Sequence, residues 1–326
     1  MSKKNYNNPF QATLTGILDL FKKRNRIGTL SPSERLDGKK ILIDGASSGL
    51  GLATAIELAK LGGTVIMAVR SGFPQKAEVV KQKSLSEKVF IHQVDFSDFE
   101  SIIKLVNEIK SKHGQLDIVI CNAAMVAKKG VQTKSGLEQM FMVNYFSKFV
   151  FIQLLLKNNC IKTDFAEKPR IIFVTSESHR NSATFRWNEF GIFTPFSVGK
   201  TVELYGYYKL LLVTYARELS RRLNENGNQV SVFALCPGPV NSNIARESPP
   251  LFKPLLSLVF TIFFRSPKKA SEPVVYLSAS KEQEGKIFDY LFLMDRKPID
   301  EKAEDPENGK KLWELSEELL KKLKVN

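Results

Sequence analysis

Seven short apolar runs, separated by stretches of helical periodicity, constrain this chain more than any other feature. They read KILID (40–44), TVIMAV (64–69), VFIHQV (89–94), DIVIC (117–121), RIIFVT (170–175), VSVFAL (230–235) and KIFDYL (286–291). Several are apolar almost throughout, which a strand requires when both faces of its sheet are covered. Between them stand helix candidates such as GLATAIELAKLG and VELYGYYKLLLVTYARELSRRL. Strand and helix alternating this often predict an α/β fold, a doubly wound parallel sheet of about seven strands with right-handed crossovers.

The chain has 326 residues, and α/β sheets of this extent usually form one domain with extensions. The expected organisation is a basic, amphipathic extension over 1–36, a domain over 37–298 and a helical C-terminal extension over 299–326. In the first segment Phe10, Leu14, Ile17, Leu18 and Phe21 recur at helical spacing before KKRNR, without the continuous apolar centre of a signal peptide. It is either a helix covering the core or a helix lying on an anionic membrane surface. In the last, Leu312, Leu315, Leu319 and Leu323 share one helical face, which suits packing on the body or on a partner.

The formal net charge is +14, which favours acidic partners: nucleic acid, anionic lipid or a phosphate-rich cofactor. No nucleic-acid recognition motif accompanies the charge, and none is expected to bind. Cys121, Cys160 and Cys236 lie in or beside apolar runs without CxxC spacing and read as reduced core residues in a cytoplasmic setting. His92, His113 and His179 share no ligand spacing with them, so no metal is expected.

Two stretches carry chemistry. IDGASSGLG (43–51) follows the first strand and opens a helix, with glycines at 45, 49 and 51. Small residues at such a turn let backbone N–H groups approach a pyrophosphate, whose charge the helix N-terminus favours. In YGYYK (205–209), Tyr205 and Lys209 are one helical turn apart, whereas Tyr207 and Tyr208 have leucines at that spacing. A phenol with a pKa near ~10 exchanges protons at neutral pH only with help from a neighbouring cation. Taken alone, the pair is equally a tyrosine beside a solvated lysine.

The glycine spacing, GxxxGxG, resembles that of the short-chain dehydrogenase/reductase family, and the resemblance continues in order. CNAA (121–124) stands where the family has NNAG, Asn144 lies in MVNYFSKF, VTSES ends the fifth strand, YGYYK matches YxxxK, and CPGPVNSN resembles PGxVxT. The match spans roughly residues 38–295 and is closest to the retinol dehydrogenase and protochlorophyllide reductase branch. It implies a Rossmann-type fold and an enzyme that interconverts a carbonyl and an alcohol with a nicotinamide cofactor, NAD(P) accepting hydride from the CH–OH group. By resemblance Tyr205 is the acid/base, Lys209 tunes it and binds the nicotinamide ribose, Ser176 holds the substrate oxygen and Asn144 supports a proton relay. Gly45, Ser47, Ser48, Gly49, Leu50 and Gly51 would cradle the cofactor phosphates. Asp95 and Phe96 would meet the adenine, opposite Asn122 and Ala123; Pro237, Gly238, Val240 and Ser242 would border the nicotinamide.

Arg70 and Ser71 occupy the end of the second strand, where an NAD-specific site needs a carboxylate. An arginine there suits a 2′-phosphate, so NADP(H) is expected over NAD(H). Three departures stand out: Asp44 replaces the usual threonine, CNAA replaces NNAG, and Tyr205 comes 29 positions after Ser176. That long segment, rich in aromatics, resembles the pocket wall of the retinol dehydrogenase branch. PPLFKPLLSLVFTIFF (249–264) is too interrupted to span a bilayer, and in the family this region covers the substrate. The expected substrate is therefore lipophilic, of retinoid, steroid or fatty-aldehyde type, with peripheral membrane contact and homo-oligomerisation left open. A protochlorophyllide reductase-like enzyme and a non-catalytic NADP-binding scaffold are the alternatives.

Overall fold

The structure is a computed structural model that describes residues 27–163, 168–181, 184–225, 227, 230–238 and 265–324. Most of the basic N-terminal extension and the apolar stretch at 249–264 lie outside the described residues, as do Val240 and Ser242.

Seven parallel strands form the sheet: β1 (Lys40–Asp44), β2 (Thr64–Val69), β3 (Val89–Gln93), β4 (Ile118–Cys121), β5 (Arg170–Val174), β6 (Ser231–Cys236) and β7 (Phe288–Phe292). The spatial order is β3-β2-β1-β4-β5-β6-β7-β8, where β8 (Asp295–Arg296) runs antiparallel to β7. The eighth strand escapes a sequence reading because two residues carry no period. All seven expected runs form strands, displaced by at most two residues at their ends.

Alternation along each strand builds two cores, since successive side chains leave opposite faces of a sheet. Leu42, Ile66, Val119, Ile171 and Val232 point to one face, covered by α3 (Phe99–Lys112), α4 (Gln139–Lys157), α5 (Val198–Asn224) and α8 (Pro306–Lys322). Ile41, Ile43, Val65, Met67, Ile120 and Phe233 point to the other, covered by α1 (Gly49–Lys60), α2 (Gln75–Ser84) and α6 (Pro267–Ala279). The strands read as apolar throughout because each is buried on both sides.

Helix α4 is long and apolar enough to cross a bilayer, but 83% of its most apolar window is buried within the body, so it serves as a core helix. The C-terminal extension closes the same core. Trp313 packs edge-on against Phe149 at 5.3 Å, and Ser316 Oγ hydrogen-bonds Tyr145 Oη at 2.6 Å. Just before it, α7 (Glu301–Glu304) is tied to α5 by Arg217 donating to Glu304 at 2.8 Å.

Strand β1 pairs with β2 on one side and β4 on the other, so chain direction through the sheet reverses between β1 and β4. In open α/β sheets the crevice beyond the carboxyl ends of the strands at this switch point receives the ligand. Asp44 and Cys121 end those two strands, which places the glycine turn beside the CNAA loop.

Candidate active site

Gly45 leaves β1 with φ +63°, a conformation that favours glycine. A Cβ there would stand 2.8 Å from Ala123 Cα and 2.9 Å from Asn122 Nδ2, and one on Gly51 would overlap the Gly45 carbonyl. The turn is closed so tightly that only hydrogen fits. Ser48 caps α1 with its backbone alone, its side chain making no capping bond, and no acidic residue stands in the first turn. Those N–H groups and the positive end of the helix dipole therefore suit an anion, which is what a dinucleotide's pyrophosphate presents. Ser47 and Leu50 belong to the same turn, partly open to solvent.

Asp44 compensates for the missing threonine. Its Oδ1 accepts the backbone N–H of Asn122 at 2.6 Å and that of Ala123, while Oδ2 takes the Lys148 ammonium at 2.7 Å. Asn122 returns the contact, donating Nδ2 to the carbonyls of Asp44 at 3.0 Å and Gly45 at 3.2 Å. The loop after β4 and the glycine turn are thus one hydrogen-bonded unit.

Tyr205 and Lys209 lie in α5, and Ser176 follows β5 and opens a 3₁₀ turn over Glu177–Asn181. Ser176 lies beside the Tyr205 phenol, and the Lys209 ammonium sits 5.7 Å from the centre of that ring while donating to the Val174 carbonyl at 3.0 Å. Gly206 makes this convergence feasible, because a Cβ there would stand 2.8 Å from the Ser178 carbonyl. The insertion between Ser176 and Tyr205 adds a stacked Phe185–Trp187 pair, 4.3 Å between centroids.

Burial raises the Tyr205 phenol above its ordinary range, and the neighbouring Ser176 only partly offsets it. Burial is the largest influence on the phenol, ahead of nearby Lys209. Its ammonium bonds a carbonyl rather than the phenol oxygen, and loss of hydration dominates. Lys209 itself is lowered to about 8, chiefly by burial and then by the like charge of Lys148.

Asn144 is fully buried in a π-helical segment of α4, Met142–Phe146. Its Oδ1 accepts the Met125 N–H and its Nδ2 donates to the Met125 carbonyl, both at 2.8 Å. The side chain therefore secures the loop after β4. Arg70 and Ser71 are exposed just beyond β2, at the same edge as the glycine turn. Asp95 is engaged by its own turn, accepting from Ser97 N at 2.8 Å and Ser97 Oγ at 2.7 Å. Phe96 is 6% exposed, with its ring against Phe151 and under the Lys148 ammonium at 3.8 Å, so it faces the core more than the crevice. Pro237 and Gly238 follow β6 directly.

A short-chain dehydrogenase family model matches residues 39–187. Human retinol dehydrogenase 14 is 31% identical over 306 residues, covering 89% of this chain and 88% of the relative. The chain belongs to the short-chain dehydrogenase family. Retinol dehydrogenase 13 of Mus musculus is 30% identical, covering 94% and 91%. A crystal structure of a protein from Mycobacterium paratuberculosis superimposes with a TM-score of 0.68 at 24% identity, covering 90% of this chain and 98% of that one, a likeness of fold. This short-chain dehydrogenase is accordingly an oxidoreductase of CH–OH groups with a nicotinamide cofactor.

Sequence reasoning missed two residues. Lys148 is the one charged residue in the run MVNYFSKFVFIQLLL, four positions after Asn144, and a lone lysine in so apolar a helix was its signal. His179, fully buried, donates Nδ1–H to the Ser176 carbonyl at 2.7 Å and so fixes the serine turn. Burial lowers His179 to about 4, and burial beside His92 lowers His113 to about 4 as well. Unfolding returns each to its ordinary value near 6.5, so between those values the unfolded chain binds more protons and stability falls on acidification. Urea unfolding should show a loss of about 2 kcal/mol per histidine from pH 7 to pH 5. His113→Gln should remove its share of that slope; an unchanged slope would exclude it.

Proposed function

We propose that this protein interconverts a carbonyl and an alcohol on a lipophilic molecule, with NADP(H) as cofactor, through Tyr205, Ser176, Lys209 and Asn144. The observation that carries the reading is the convergence of Ser176 and the Tyr205 phenol, with the Lys209 ammonium one helical turn away, beside the crevice at the sheet's switch point. When bound, the cofactor supplies or accepts the hydride. Ser176 and Tyr205 both offer O–H groups to the substrate oxygen; in reduction Tyr205 donates the proton as charge develops there, and in oxidation it takes one back. Lys209 stabilises the phenolate that this leaves and contacts the ribose.

A lipophilic substrate is supported by the entry to α5. Val198 and Val202 are 66% and 50% exposed, and with Tyr205 and Lys209 they form one stripe at i, i+4, i+7 and i+11. An apolar track leading to the acid suits a hydrocarbon chain or ring better than a sugar. The first test is a panel of retinal, a steroid ketone and decanal, each followed by NADPH absorbance, with a short polar aldehyde as control; preference for the polar aldehyde would overturn the substrate class. The free, buried Cys121, Cys160 and Cys236 accord with a reducing compartment.

For the cofactor, Arg70 is the deciding group. Arg70→Asp removes the cation offered to a 2′-phosphate and adds a repelling charge. NADPH affinity should fall at least tenfold more than NADH affinity, measured by quenching of intrinsic fluorescence. Equal losses would return the choice to NAD(H).

A further inference from the structure

The pairing of Asp44 with Lys148 is buried more completely than any other ion pair among the described residues, at 0% and 1% exposure, and the catalytic scheme above makes no use of it. Two charges removed from water this fully cost more desolvation than an apolar pair of the same size, so the arrangement needs a reason beyond stability. Its position suggests one. Asp44 reaches across the switch point to hold the N–H groups of Asn122 and Ala123, and Lys148 comes from the helix that carries Asn144, with its ammonium over the Phe96 ring. Four pieces of the cofactor crevice therefore meet at one ion pair: the glycine turn, the loop after β4, the turn after β3 and α4.

We infer that Asp44 and Lys148 act together as a positioning pair that sets the cofactor crevice, Lys209 included. The inference rests on the proposed cofactor reading. The groups facing Lys209 are Lys148 from α4, Asp44 from β1, Cys236 from β6, the Val174 carbonyl from β5 and the Tyr205 ring on its own helix. Lys148 acts on Lys209 as a like charge, Asp44 as an opposite one. Deleting Lys148 removes the repulsion and leaves Asp44 unpaired, and both changes favour the charged form of Lys209.

The test measures NADPH dissociation constants by fluorescence from pH 6 to pH 10 for wild type, Lys148→Met and Asp44→Asn/Lys148→Met. Lys148→Met should bind NADPH about tenfold more weakly at pH 7, because the unpaired carboxylate disturbs the loop after β4. The double variant keeps an acceptor oxygen for Asn122 and Ala123 without the charge and should return to within about threefold of wild type. In both, the pH above which NADPH affinity declines should rise, by roughly one unit in Lys148→Met and by less in the double variant. A purely structural pair would lower melting temperature without moving that pH. Where Lys148→Met does not accumulate as folded protein, the double variant decides: wild-type affinity with a raised midpoint supports the pair, and an unmoved midpoint overturns it. Wild-type protein that binds neither NADPH nor NADH would instead remove the cofactor reading itself.

Discussion

Tyr205→Phe should keep NADPH binding and lose turnover by roughly 10² to 10⁴, the usual share of general acid catalysis. The ring stays in place and only the hydroxyl is removed, so the variant separates chemistry from binding. Its neighbours provide the control. Tyr207 is 5% exposed and its hydroxyl accepts the Arg186 N–H at 3.2 Å; Tyr208 is 7% exposed and sits edge-on to Phe141 at 5.6 Å. Tyr207→Phe removes a structural hydrogen bond, worth about 1 kcal/mol of stability, and both Tyr207→Phe and Tyr208→Phe should leave turnover within a few-fold of wild type. Near-normal carbonyl reduction by Tyr205→Phe would sink the mechanism and favour the scaffold alternative. Lys209→Met should weaken both binding and turnover, since one ammonium serves the ribose and the phenolate.

Gly45→Val should abolish cofactor binding while leaving the sheet folded. The position requires φ +63°, which a β-branched residue adopts at a cost of about 1–2 kcal/mol, and its Cβ would press on Ala123 Cα at 2.8 Å. Because Asn122 and Ala123 are held to Asp44, the loop cannot retreat without breaking those bonds. We expect NADPH affinity to drop by roughly 100-fold, equivalent to about 2.7 kcal/mol, with far-ultraviolet circular dichroism unchanged. Undiminished NADPH binding would place the pyrophosphate away from this turn.

Motif order and burial explain how much of this could be read beforehand. Strand runs such as KILID and TVIMAV were visible because a doubly covered strand excludes polar residues from both faces. The glycine turn was visible because no other residue fits it, and YGYYK because only one of its tyrosines has a lysine one turn on. Lys148 was hidden because its partner, Asp44, is 104 positions earlier in the chain. His179 was hidden because its function lies in a bond to a carbonyl, which any residue can supply.

The linear chain therefore determined the fold class and which residue types stand at the crevice, since these depend on local period and steric demand. Tertiary structure alone decided how those residues are charged and held. Burial raises the Tyr205 phenol and, with the like charge of Lys148, lowers Lys209; Gly206 lets α5 meet the Ser178 carbonyl, and Asn144 spends its amide on Met125. Desolvation and contacts between distant segments have no signature in a linear pattern, because both exist only once the chain has closed on itself.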